Sequence, residues 1–133
     1  MASPSGTHQL VRLFLEAAAP RLAYNPDLKE AFHQRGKALL RRIAGDLGYG
    51  KGGYDLRSNK GGTAVSGEIT LHADDIYIQF AQYYGDAARG ILYRECKNRQ
   101  DFTGGRNLYM RFDDLRDYPL ALARFAAAKR SPA

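Results

Sequence analysis

The sequence predicts an α+β fold made of two N-terminal helices, an antiparallel meander sheet of three to five strands, and a C-terminal helix. Three observations predict it: apolar residues recur at helical spacing as far as Leu47, the period becomes two between Ala64 and Phe80, and helical spacing returns after Tyr118. The 133 residues suit one domain over 1–133, with 1–6 and 130–133 expected to fray.

The elements follow in order. Thr7 is expected to cap a first helix whose apolar face uses Leu10, Val11, Phe14, Ala17 and Ala18, and Pro20 discourages its continuation. Asn25 then caps a second helix. Pro26 suits its first position, Asp27 the positive end of its dipole, and Gly48 a left-handed stop. Its apolar stripe is Leu28, Ala31, Phe32, Leu39, Ile43 and Leu47. Residues 48–62 are rich in Gly, Lys, Asn and Tyr, with a short strand expected around Tyr54–Arg57. Val65, Gly67, Ile69 and Leu71 alternate with Ser66, Glu68, Thr70 and His72, the pattern of a half-buried strand. His72–Asp75 is expected to turn, and Ile76, Ile78 and Phe80 give a second such strand. A turn over Gly85–Gly90 leads to a third strand, Ile91–Lys97. A basic loop follows over Asn98–Arg106, then a short edge strand within Asn107–Phe112. Tyr118, Leu122, Phe125, Ala126 and Lys129 share one face of the last helix.

Composition excludes several classes. Apolar residues at 44% provide enough buried surface for folding without staples, which excludes wholesale disorder. One cysteine, Cys96, cannot form an internal disulfide, which favours a reducing cytoplasm. The apolar stretch Leu10–Pro20 is interrupted by Arg12 and Glu16 and falls short of the ~20 residues of a membrane span, so no membrane partner is expected. The formal charge of +6 favours anionic partners.

That charge is unevenly spread along the chain. Residues 31–60 carry seven basic against two acidic side chains, whereas 61–88 carry four acidic and no basic ones. Lys29, His33, Lys37 and Arg41 recur every four residues on the second helix, a stripe able to follow a phosphate backbone, although any amphipathic helix also needs a solvated face. Arg42 adjoins it, and Lys51, Arg57 and Lys60 follow among glycines whose backbone amides can approach phosphate oxygens. A second basic group comprises Arg89, Arg94, Lys97, Arg99 and Arg106, interleaved with Tyr93, Phe102 and Tyr109, which can stack on bases or anchor a protein interface. The candidate binding residues are therefore Lys29, Lys37, Arg41, Arg42, Lys51, Arg57, Lys60, Arg94, Lys97, Arg99, Phe102 and Arg106.

Catalytic patterns are sparse. Gly48–Gly53 matches G-x-G-x-x-G but follows a helix, and Lys51 precedes neither Ser nor Thr, so neither dinucleotide binding nor a P-loop is expected. His8, His33 and His72 lack ligand spacing, and no metal or other cofactor is expected. Cys96 has no evident histidine partner and is read as a buried thiol. Asp113 and Asp114 precede the last helix, where negative charge favours initiation.

Two resemblances remain. Gly67-Glu68-Ile69-Thr70-Leu71 followed by Glu95-Cys96-Lys97 is similar to the strand pattern of the PD-(D/E)xK nuclease superfamily. The resemblance implies carboxylates holding Mg²⁺ and a lysine orienting the attacking water, with Glu68, Asp75, Glu95 and Lys97 in those roles. Thr70 stands where the metal-binding aspartate is expected. The runs Asn59–His72 and Asp101–Asn107 resemble small proteins encoded on bacterial plasmids, integrative elements and prophages. That resemblance implies a non-catalytic binder of nucleic acid or a nucleoprotein complex, inhibiting a host defence system in the manner of an anti-CRISPR. Nuclease activity is the alternative. Oligomeric state is left open.

Overall fold

The computed structural model describes residues 4–19, 25–60, 67–82, 90–102 and 105–129. Helices α1 (Pro4–Ala17) and α2 (Pro26–Asp46) precede strands β1 (Tyr54–Asn59), β2 (Glu68–Ala73), β3 (Ile76–Ala81), β4 (Ile91–Glu95) and β5 (Leu108–Met110). A 3-10 helix, Phe112–Arg116, then leads into α3 (Tyr118–Ala128). The strands form one antiparallel sheet in the order β1-β2-β3-β4-β5, so β1 and β5 are its edges. This is the α+β meander that the change of period predicts. Among the described residues no helix is long and apolar enough to cross a membrane.

Local chemistry explains most boundaries. The Asn25 side chain accepts from the amides of Asp27 at 3.0 Å and Leu28 at 3.1 Å, with Pro26 opening α2 as expected. Gly48 follows the C-cap at φ +97°, a left-handed conformation that glycine adopts without a Cβ penalty. The 3-10 helix starts where the Asp114 carboxylate accepts from the Arg111 amide, and Asp117 caps α3 by accepting from Leu120. Asp114 therefore opens the 3-10 helix, and the initiation of the last helix expected of Asp113 and Asp114 falls to Asp117.

Several boundaries depart from the sequence expectation. α1 begins at Pro4, which suits a first helical position, and Thr7 is buried inside the helix instead of capping it. The β2 strand continues through the buried His72 to Ala73, leaving Asp74 and Asp75 as the turn. β4 stops at Glu95, two residues before Lys97. Ala126 is exposed, and α3 buries Ala121 and Phe125. The alternation expected at Val65 and Ser66, the turn over 85–89 and the tail 130–133 lie outside the described residues.

Register divides the sheet into two faces. The inner face carries Ile69 opposite Phe80, Leu71 opposite Ile78, Ile78 opposite Tyr93, and Ile91 opposite Met110. All of these are buried against the helices. At the centre, Phe14 of α1 meets Phe32 of α2 at 5.3 Å, Phe80 of β3 at 5.0 Å and Phe112 of the 3-10 helix at 5.2 Å between ring centroids. Two glycines let these layers close. A Cβ on Gly36 would lie 2.3 Å from Ile69 Cδ1, and one on Gly90 would lie 2.6 to 2.7 Å from the Phe112 ring. On α3, Phe125 stacks edge-on against Tyr93 at 5.2 Å. Replacing Phe14 with alanine is expected to remove about 3–5 kcal/mol of unfolding free energy. Urea denaturation followed by circular dichroism measures this, and a loss below about 1 kcal/mol would refute the central role of that ring.

Candidate nucleic-acid interface

The outer face of the sheet presents a different set of side chains. Its middle row runs Arg57, Thr70, Gln79, Leu92 and Tyr109, one residue from each strand in register. The adjacent row is Asp55, His72, Tyr77 and Arg94. The helices meet the opposite face, through the inner-face residues named above. Tyr109 remains 43% exposed.

Residues 97–102, after β4, fold over the second row. Asn98 organises it: its side chain accepts from the Gln100 amide at 2.8 Å and its carbonyl from the Asp101 amide at 3.2 Å. The same carbonyl accepts from His72 Nε2 at 3.0 Å, which assigns the proton to Nε2 because a carbonyl cannot donate. The Arg94 guanidinium lies 4.6 Å from the Tyr77 ring centroid and donates to the carbonyls of Glu95 and Asp101. His72 contacts Tyr77 and Phe102 edge-on, both at 5.1 Å, and Phe102 ends the pile 56% exposed. Arg99 fastens the segment to the rest of the sheet: Nε donates to Asp74 at 3.2 Å, Nη1 to Asp55 at 3.5 Å and Nη2 to the Gly52 carbonyl at 2.7 Å.

The candidate binding residues fall into two sets. Arg57, Arg94, Lys97, Arg99 and Phe102 belong to the outer face and the residues that cover it, Arg106 lies shortly before β5, and Lys51 neighbours the Gly52 carbonyl that holds Arg99. Lys29, Lys37, Arg41 and Arg42 belong to α2, on the helical layer at the other side of the sheet. The chain therefore does not gather all its positive side chains on one surface. Lys60 joins the layers through a 2.6 Å contact with Glu30, which lowers the Glu30 carboxyl below its ordinary value. His33 leaves the expected helix stripe: it is buried, stacks on Phe32 and shares a hydrogen bond with Ser58.

Pairing removes further charge from the set. Arg42 pairs with Asp46, Arg57 with Asp55, and Arg99 with Asp55 and Asp74. Arg94 is buried and organises the loop. Arg41, Lys51, Lys97 and Arg106 are exposed and form no ion pair among the described residues. Tyr109, Thr70 and Gln79 complete the face yet stand outside the candidate set. Their signal was the alternation itself, since residues out of phase with Ile69, Ile78 and Ile91 must face away from the helices.

The nuclease arrangement does not assemble. Glu68 pairs with Ala81 at one end of the β2–β3 hairpin and Asp75 sits in the turn at the other, roughly 20 Å away at strand rise. Glu95 pairs with Ile76 in an inner-face row, whereas Glu68 faces outward. The Asp75 carboxylate is engaged by the Tyr49 hydroxyl and lies 3.7 Å from Lys129 Nζ. Burial, then that bond, push the Tyr49 phenol above its ordinary value. No cluster of three or more metal-binding side chains occurs among the described residues. Cys96 is buried and donates to the Ala73 carbonyl at 3.3 Å.

Comparison with protein-family models, with curated proteins and with solved structures finds no match.

Burial holds His72 below the ordinary imidazole value, opposed by its bond to Asn98. Below about pH 6.5 the unfolded chain takes up a proton that folded His72 does not. Its contribution is therefore complete above that pH and declines as pH falls toward the folded value. His72→Gln is expected to flatten this part of the profile, measured as urea midpoints between about pH 7.5 and about pH 5. An unchanged slope would contradict the assignment.

Proposed function

We propose that the protein is a non-catalytic binder that engages nucleic acid, free or within a nucleoprotein complex, through the outer sheet face and the β4–β5 segment. The observation that carries this is that two exposed rings lie away from the helices, Tyr109 in the outward row that also holds Arg57, and Phe102 against the outward His72, with the exposed Lys97 joined through its amide to Asp101 beside Phe102. Bases of an unpaired strand can stack on such rings while the cations meet phosphates. The resemblance of Asn59–His72 and Asp101–Asn107 to proteins of plasmids, integrative elements and prophages supports a role in blocking a host defence complex, in the manner of an anti-CRISPR. A cytoplasmic location follows from that role.

The α2 cations lie on the other layer, and this separates the two candidate surfaces experimentally. Fluorescence anisotropy with a labelled single-stranded oligonucleotide is expected to show binding at low salt that weakens with ionic strength, by a log–log slope of about −0.7 per phosphate neutralised. Phe102→Ala with Tyr109→Ala is expected to cost about 1–3 kcal/mol per stacked base. Lys37→Glu with Arg41→Glu is expected to change affinity less than threefold, about 0.6 kcal/mol. Loss of binding in the α2 variant alone would move the interface to the helices. Undetectable binding at low salt would eliminate the direct nucleic-acid contact, and capture from nuclease-treated host lysate would then test a protein target.

A further inference from the structure

The helical layer contains a cleft that the outer sheet face does not use. Its volume is about 430 Å³, and it opens between the start of α1, the end of α2, the 3-10 helix and the start of α3. That size lies in the range of small-molecule sites, roughly 300–1,000 Å³. Val11, Leu115, Tyr118 and Pro119 supply its apolar lining, Arg42 and Arg116 supply positive charge, and the one carboxylate of the lining, Asp46, is engaged by Arg42 and Tyr118.

Both guanidiniums are held at one nitrogen. Arg42 Nε donates to Asp46 Oδ2 at 3.1 Å, and Arg116 Nε donates to Asp113 Oδ1 at 3.2 Å. Their terminal nitrogens make no further hydrogen bond among the described residues. An arginine fixed through Nε has already lost much of its rotamer freedom, and its remaining N–H groups match the two oxygens of a carboxylate. Asp46 Oδ2 is also taken by the Tyr118 hydroxyl at 2.7 Å. Burial and that bond raise the Tyr118 phenol above its ordinary value, so it remains a neutral donor and adds no negative charge to the cleft.

We propose that this cleft binds a small amphipathic carboxylic acid, its carboxylate on Arg42 and Arg116 and its apolar body on Val11, Leu115, Tyr118 and Pro119. The apolar lining distinguishes this ligand from a polyanion, whose hydrated backbone would leave that surface uncovered. Charge complementarity distinguishes it from a neutral hydrophobe, which would cover the terminal N–H groups of Arg42, whose side chain is only 20% exposed, without offering them an acceptor.

Octanoate and octan-1-ol provide matched probes, titrated into the full chain and followed by amide NMR shifts. Octanoate is expected to bind saturably, shifting Val11, Leu115 and Tyr118, and to bind at least about tenfold more tightly than the alcohol. Arg116→Met is expected to weaken octanoate binding by about tenfold without lowering the thermal midpoint, because the Arg116 side chain is 68% exposed. Arg42→Gln serves as the second variant and is expected to show the same loss. The proposal is overturned by absence of a saturable shift, by equal affinity for acid and alcohol, or by unchanged octanoate affinity in both folded variants.

Discussion

The close approach of α1, α2 and the 3-10 helix to the sheet is the constraint on which the architecture depends. Phe14 touches Phe32, Phe80 and Phe112, so one side chain links α1 to α2, to β3 and to the segment after β5. The approach is possible because the backbone carries no Cβ at Gly36 and Gly90, where one would meet Ile69 and the Phe112 ring. Aromatic rings bury much area per residue, and here that area is shared among elements distant in sequence. Once the helices are held on this face, the other face of the sheet is left for a different use.

The two faces divide the chemistry as well as the packing. α2 and its cations lie with the helices, while Arg57, Arg94 and Tyr109 occupy outward positions on the strands. Much of the formal +6 is therefore distributed between layers, and several of its contributors are matched by carboxylates. Arg94 and Arg99 show what a basic loop can do besides attracting anions. One closes over Tyr77 and holds Asp101, and the other gathers Asp55, Asp74 and Gly52. The positive charge is partly scaffolding for the surface that displays Phe102.

Much of this was legible from the residues because local chemistry and the tertiary fold agree. Asn25-Pro26-Asp27 specifies the start of α2, Gly48 its end, and the alternation of Ile69, Leu71, Ile76, Ile78 and Phe80 specifies the inner face. The fold class follows from those periods alone. Sequence spacing could not show which helix face the core would claim at His33, because Ser58 provides its partner from 25 residues away. Nor could spacing show that Arg99 reaches residues 44 and 47 positions earlier in the chain. The motif Glu95-Cys96-Lys97 looked like a site because strand motifs are read in one dimension, and register then puts Glu68 and Glu95 on opposite faces. The cleft between Arg42 and Arg116 had no signal, since its walls come from four elements.

The position of β1 at the sheet margin carries a consequence of its own. Its outer half, Arg57, Ser58 and Asn59, is exposed, and Lys60 follows at once. An unpaired strand margin is a template for growth by addition of further chains. Here that margin carries two cations, Arg57 paired with Asp55 and Lys60 paired with Glu30. Arg57 on the outer face and Lys60 against Glu30 of α2 thus put charge on both sides of this margin, a composition that disfavours edge-to-edge addition.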